Sequence, residues 1–249
     1  MFRKNILITG ASSGLGEEMA RMYAAKGHNL ALCARRLENL ETLKNDLAAK
    51  HPSITIAIKS LDVCDYDQVF VVFREFQKEL GGLDRIIVNA GMGKGASLGT
   101  GYFKANRQTA ETNFIAGIAQ CEAAMEIFRE QNAGHLVTIS SMSALRGLPG
   151  SVSVYSASKA ALRNLTESIR VDMMDSPIAV SCILPGFILT PINERRKQAP
   201  FRVDLQTGCR AIVKAIDKEV GEAKVPAWPW VPLGWILNVA PLWLVRKLS

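Results

Sequence analysis

Short apolar runs alternate along the chain with longer stretches in which apolar positions recur every three or four residues. Segments 5–9, 30–34, 54–58, 85–89, 135–139 and 178–184 read as strands, several of them apolar on both faces. Strands buried on both sides belong to a parallel sheet covered by helices. Between them, Leu37, Leu40, Leu43 and Leu47 form one stripe at helical spacing, and Val69, Phe73, Phe76 and Leu80 form another. Each is the inner face of a crossover helix. This alternation predicts an α/β fold, a Rossmann-like doubly wound parallel sheet, with ligands at the carboxyl ends of the strands where the strand order reverses. No internal repeat or Pro/Gly/Ser linker appears, so residues 1–224 are expected to form a single domain.

The pattern breaks near the end. Residues 225–245 carry no charge, and all four tryptophans (Trp228, Trp230, Trp235 and Trp243) lie there. Pro226, Pro229 and Pro232 prevent one uninterrupted helix through this run, which argues against a transmembrane span. A helix over 233–248, kinked at Pro241, is expected instead. The apolar extension, 225–249, has to be covered by something. Three readings stay open: the wall of an apolar substrate pocket, a subunit interface, or a peripheral membrane contact with Trp at the interface and Arg246 and Lys247 near anionic head groups.

Composition places the 249-residue chain among globular proteins, since 48% apolar and 21% charged residues exclude a disordered or low-complexity chain. The net charge of +7 is spread over the whole length, with Arg195, Arg196 and Lys197 the densest run. No recognition helix, zinc finger or aromatic-basic platform accompanies it, so no nucleic-acid partner is expected. An anionic cofactor or an anionic membrane surface accounts for the charge equally well. Five scattered cysteines contain no C-x-x-C pair, and His28, His51 and His135 have no partners at ligand spacing, so neither disulfides nor a metal site is expected. The apolar run before Gly10 is too short for a signal peptide. A reducing, cytoplasmic location is the expectation, peripheral to the membrane if the C-terminal segment makes such a contact.

The first strand runs into Thr9-Gly10-Ala11-Ser12-Ser13-Gly14-Leu15-Gly16 and then a helix beginning near Glu17. Glycines let a backbone turn tightly against a pyrophosphate, and a helix N-terminus presents free N–H groups with partial positive charge. The spacing is G-x-x-x-G-x-G rather than G-x-G-x-x-G, and no P-loop occurs. At the end of the second strand an NAD-preferring site would place an acid, but here Ala34 is followed by Arg35 and Arg36. Two guanidiniums suit a 2′-phosphate, which favours NADP(H) over NAD(H). Tyr155 and Lys159 stand at i and i+4 in a helical segment, so an ammonium can stabilise a phenolate and bring the tyrosine's proton exchange nearer neutral pH. Upstream, a strand ends in Ser140 and Ser141, hydroxyls at a sheet edge where a carbonyl could be polarised.

With these motifs in order, the chain resembles the short-chain dehydrogenase/reductase family from Lys4 to Thr190. The resemblance rests on Thr9 to Gly16, Asp62-Val63, Asn89-Ala90-Gly91, Asn113, Ser140-Ser141, Tyr155 with Lys159, and Pro185-Gly186 with Thr190. It implies catalysis by Asn113, Ser141, Tyr155 and Lys159. Tyr155 would be general acid and base, Lys159 would lower its pKa and hold the nicotinamide ribose, and Ser141 would donate to the substrate oxygen. Asn113 would hold a water linking Lys159 to solvent. It also implies cofactor contacts from Gly10, Ser12, Ser13, Gly14, Leu15, Gly16, Arg35 and Arg36 on one side. Asp62 and Val63 would meet the adenine, Asn89, Ala90 and Gly91 would pack along the cofactor, and Pro185, Gly186, Ile188 and Thr190 would meet the nicotinamide end. A homodimer or homotetramer is implied likewise.

One departure concerns the serine. Ser141 precedes Tyr155 by 14 residues where the family more often shows 13, and strict counting lands on Met142. Ser141 is retained because the loop holding Gly147 and Gly150 can absorb one residue, with Ser140 and Ser143 as alternatives. The segment after Gly186 is apolar and then basic, which suggests an apolar substrate body. Met92, Leu145, Leu148, Phe187 and Ile192 are candidate pocket residues. The reading is an NADP(H)-dependent oxidoreductase interconverting an apolar carbonyl compound and its alcohol. A non-catalytic NADP(H)-binding sensor or scaffold, and a lipid or ketoacyl reductase at a membrane surface, are the alternatives.

Overall fold

The computed structural model describes residues 3–190 and 201–248. Seven strands, β1 (Asn5–Thr9), β2 (Asn29–Ala34), β3 (Ile56–Ser60), β4 (Arg85–Val88), β5 (Gly134–Ile139), β6 (Ile178–Pro185) and β7 (Glu222–Val225), form one parallel sheet in the order β3-β2-β1-β4-β5-β6-β7. The order reverses between β1 and β4, so their carboxyl ends frame a crevice.

The strand sequences explain how the sheet is covered. In β1 every residue is buried, with Ile6 and Ile8 on one face and Leu7 on the other. The first face packs on α1 (Gly14–Ala25), α2 (Leu37–Lys50) and α7 (Leu205–Asp217) through Met19, Leu40, Leu43, Leu47 and Ile212. The second packs on α3 (Tyr66–Leu80) and α5 (Ala116–Gln131) through Val69, Phe73, Phe76 and Phe128. Both predicted stripes are thus core except at one end of each: Leu37, in the first turn of α2, is exposed, and Leu80, at the end of α3, is partly buried. Asp65 caps α3 by accepting from Gln68 N, and Gly81 ends it in the left-handed region at φ 72°. The long α6 (Ser153–Asp172) lies beside α4 (Phe103–Ala110) and the edge of β6.

Several boundaries differ from the sequence reading. β3 lies two residues later than 54–58, and β4 stops at Val88 because Asn89 has turned to bond the end of β1. β7 and α7 were not foreseen. β7 is an edge strand with two charged residues, Glu222 paired to Arg163 at 2.6 Å, and it shows no apolar run. Asn113 lies in a π-helical turn, Glu111–Ile115, that joins α4 to α5.

The C-terminal segment is α8 (Ala227–Val239) and α9 (Leu242–Leu248), so the helix begins earlier than the expected 233. Trp228 is non-helical (φ −97°, ψ 132°), so the regular turns begin at Pro229, where a missing N–H is tolerated, while Pro232 lies inside the helix and removes one of its early hydrogen bonds. Pro241 ends α8 rather than kinking it, since Ala240 before it is extended. No helix among the described residues is long and apolar enough to cross a membrane.

Candidate active site

Thr9, at the end of β1, fastens the crevice at its base. Its Oγ1 accepts from the main-chain N–H of Asn89 and of Ala90, each at 3.0 Å, while Asn89 Nδ2 donates to Thr9 O at 2.9 Å. The two turns that follow β1 and β4 are therefore locked together. Gly10 adopts φ +66°, and a Cβ there would lie 2.9 Å from Ala90 Cα. A Cβ on Gly16 would lie 2.4 Å from Gly10 O, so Gly16 is required for α1 to approach the turn. Gly16 does not line the crevice; its role is packing. Ser13 caps α1 without a side-chain hydrogen bond, which leaves the helix N-terminus open to an anion.

Above this base lies a cleft of about 1320 Å³. It is lined by Gly10, Ser12, Ser13, Gly14 and Leu15, by Arg35, Arg36, Asp62 and Val63, and by Asn89, Ala90 and Gly91. Ser141, Tyr155 and Lys159 line its other end with Pro185, Gly186, Ile188 and Thr190. The structure thus gathers every sequence-predicted site residue except Gly16 and Asn113 around one cleft. Among the described residues lining it, the cations are Arg35, Arg36, Arg146 and Lys159 and the one carboxylate is that of Asp62. Arg36 Nη2 donates to Ser12 Oγ at 3.2 Å and Ser13 Oγ at 2.8 Å, and Arg35 Nη1 stands 4.0 Å from Asp62 Oδ2.

Tyr155 and Lys159, both on the cleft lining, lie one turn apart on α6. Lys159 is buried, and its Nζ donates to Ile139 O at 2.9 Å. Burial lowers its pKa to about 8, with Cys182 acting weakly the other way. Ser140 Oγ is committed to Lys159 O at 2.8 Å, and Ser143 Oγ is buried with no partner. Ser141 Oγ accepts from Ser143 N at 3.1 Å, so its own proton points elsewhere. Asn113 stands behind the wall. Its Oδ1 accepts from Met92 N at 2.8 Å, and its Nδ2 donates to Met92 O at 2.9 Å and Ser158 Oγ at 3.1 Å. A Cβ on Gly91 would meet both Asn113 Oδ1 at 3.1 Å and Lys159 Nζ at 3.3 Å. Burial pushes the thiols of Cys33, Cys121 and Cys209 up to about 12, so none of these is a thiolate at neutral pH.

A family model described as short chain dehydrogenase matches residues 4–200. The chain belongs to the short-chain dehydrogenase/reductase family. An uncharacterized oxidoreductase of Mycobacterium tuberculosis is 47% identical over 247 residues, covering 99% of this chain and 98% of that one. The fold is similar to that of a short-chain dehydrogenase from Sphingobium yanoikuyae in complex with NADPH, at 25% identity and TM-score 0.81, covering 92% of this chain and 91% of the other. A short chain dehydrogenase/reductase from Burkholderia phymatum in complex with NAD is similar at 22% identity and TM-score 0.82, with 99% and 94% covered. As a member of this family, the chain is an oxidoreductase that uses a nicotinamide cofactor.

The residues present suit that group: the glycine turn under an open helix N-terminus takes a pyrophosphate, and the excess of cations answers its charge. In this short-chain dehydrogenase the C-terminal segment contributes to the lining of the cleft. Trp230, Leu233 and Leu237 of α8 line the cleft beside Phe187, Leu148, Met92 and Phe201. Trp230 lies flat against Gly186, where a Cβ would be 2.0 Å from its ring, and meets Phe187 edge-on at 5.7 Å. Leu145, expected in the pocket, instead packs behind it with Met142, Cys182 and Trp230. Ile192 and the basic run 195–197 lie outside the described residues. Arg146 was not singled out from sequence. It holds the end of α8 through Ala240 O at 2.8 Å, a pairing across 94 residues that no local pattern signals.

Proposed function

We propose that the protein interconverts an apolar carbonyl compound and its alcohol with NADP(H), using Tyr155 as general acid and base. The observation that carries this reading is that Ser141, Tyr155 and Lys159 line the same cleft as Arg35 and Arg36, with Asp62 the one acid among its described lining residues.

The Gly10–Gly16 turn and the α1 N-terminus would hold the pyrophosphate, and Arg35 and Arg36 a 2′-phosphate. When bound, the nicotinamide supplies or takes up hydride. The chain's own residues manage the proton. Tyr155 gives its phenolic proton to the carbonyl oxygen and recovers it in the reverse direction. Lys159, charged below about pH 8, steadies the phenolate that Tyr155 leaves behind. Ser141 offers its remaining O–H to the same oxygen as charge develops there, because its lone pair already receives Ser143 N–H. Ser140 and Ser143 fit that role less well, one proton being committed and the other hydroxyl buried. Asn113 fixes the Met92 turn and stands with Lys159 over Gly91, a place for the water that would relay protons from solvent.

Apolar side chains from α8 and from Leu148, Met92 and Phe187 support an apolar substrate body. Exposed Phe103, Ile115 and Ile118 along the α4–α5 rod support a homodimer or homotetramer, and five free cysteines suit a reducing cytoplasm. The test is a panel of long-chain and cyclic ketones, aldehydes and secondary alcohols assayed with NADPH and NADH side by side. Turnover with NADPH preferred supports the proposal. Binding of NADPH without turnover of any member would make the protein a sensor.

A further inference from the structure

We propose that the outward face of α8 and α9 docks on an anionic phospholipid bilayer and lies in its interface. The two faces of α8 have different fates. Trp230, Leu233 and Leu237 turn inward and close the cleft. Trp228 and Trp235, with Val239 one turn further on, turn outward, and Leu242 and Trp243 continue the same apolar surface onto α9. The three outward indoles are 79%, 71% and 69% exposed, so nothing among the described residues covers them. Soluble monomers rarely leave a patch of this kind bare.

Charge decides what covers it. From residue 223 to the C-terminus there is no Asp or Glu, and the charges present are Lys224, Arg246 and Lys247. Arg246 and Lys247 are exposed on α9, three and four residues after the last tryptophan. A second copy seated symmetrically on this face would bring the cationic ends of two such segments together with no Asp or Glu in either to answer them. Anionic head groups do answer them, while tryptophan rings settle at head-group depth and the aliphatic side chains reach the acyl boundary. Neither helix can span a bilayer, so the segment lies in the plane of the membrane. A single helix then separates the substrate end of the cleft from lipid, which makes membrane-dissolved apolar compounds the natural substrates. That consequence rests on the proposed function; the docking does not.

The full chain is sedimented with large unilamellar vesicles of phosphatidylcholine alone and of phosphatidylcholine mixed with phosphatidylglycerol, with tryptophan emission followed. We expect at least ten-fold stronger binding to the mixed vesicles, with a blue shift. Arg246→Gln/Lys247→Gln should weaken that binding about 30-fold, from about 1 kcal/mol per basic residue near an anionic surface. Trp235→Ser/Trp243→Ser should abolish it while thermal melting stays as in the parent protein. Failure to sediment with the mixed vesicles, or sedimentation unaffected by both variants, overturns the proposal. So does a dimer in sedimentation velocity that the tryptophan variant splits into monomers, which would assign the face to a second copy. None of these readouts requires turnover, so they stand apart from the ketone panel.

Discussion

Lys159 spends one ammonium proton on the carbonyl oxygen of Ile139, 2.9 Å away at the end of β5, in a place where burial lowers its pKa from 10.5 to about 8. The unfolded chain keeps that proton until about pH 10.4, so below pH 8 the folded state carries the full cost of a buried charge, and the cost is relieved as pH rises between 8 and 10.5. Lys159→Met is therefore expected to be more stable than the parent protein at pH 7, and its advantage should shrink by about 2 kcal/mol by pH 9.5. Denaturant unfolding at the two pH values measures this. In the parent protein, kcat/KM for carbonyl reduction should fall as pH rises through about 8.

Arg36 reaches across to Ser12 and Ser13 at the mouth of the glycine turn. Arg36→Ala should raise KM for NADPH by about 10- to 100-fold, the worth of one charge-assisted contact to phosphate, and leave KM for NADH within about three-fold. Equal losses with both cofactors would remove the arginine from 2′-phosphate recognition.

The three serines after β5 separate by their hydrogen bonds. Ser141→Ala should lower kcat by about 10²- to 10³-fold, the usual effect of removing one donor to a developing oxyanion. Ser143→Ala should stay within a few-fold, since its hydroxyl is buried without a partner. The reverse order of effects would move the role to Ser143.

Far from the cleft, Arg85 is buried between His135, to whose Nδ1 it donates at 2.9 Å, and Asp217 at 2.9 Å. Burial, reinforced by Arg85, lowers the His135 pKa to about 3. His135 therefore contributes stability in full above pH 6.5 and loses it as pH falls toward 3, a loss of about 2–3 kcal/mol between pH 7 and 4.5. His135→Gln should flatten that slope. Arg85→Met should cost about 3 kcal/mol at pH 7 while the specific activity of the folded fraction is unchanged.

Much of this architecture is legible in the residues themselves. Leu40, Leu43, Leu47, Val69, Phe73 and Phe76 reveal their helices because each stripe has a single buried face, and the Thr9–Gly16 turn and the Tyr155–Lys159 pair are local in sequence. What stayed hidden depends on contacts distant along the chain. The π turn at Asn113 is set by its bonds to Met92, the cleft-lining role of Trp230 by Gly186, and the hold of Arg146 on Ala240 by a fold that brings residues 94 apart together. β7 pairs as a strand only because β6 offers an edge, and Glu222 and Lys224 erase its apolar signature.

The most direct test of the central claim is Tyr155→Phe, assayed for NADPH binding by fluorescence and for ketone reduction in the same preparation. The account predicts binding within about three-fold of the parent protein and a loss of at least about 10³-fold in kcat, since only the proton donor has been removed. Undiminished reduction by the phenylalanine variant, or a parent protein that binds neither NADPH nor NADH, would contradict it.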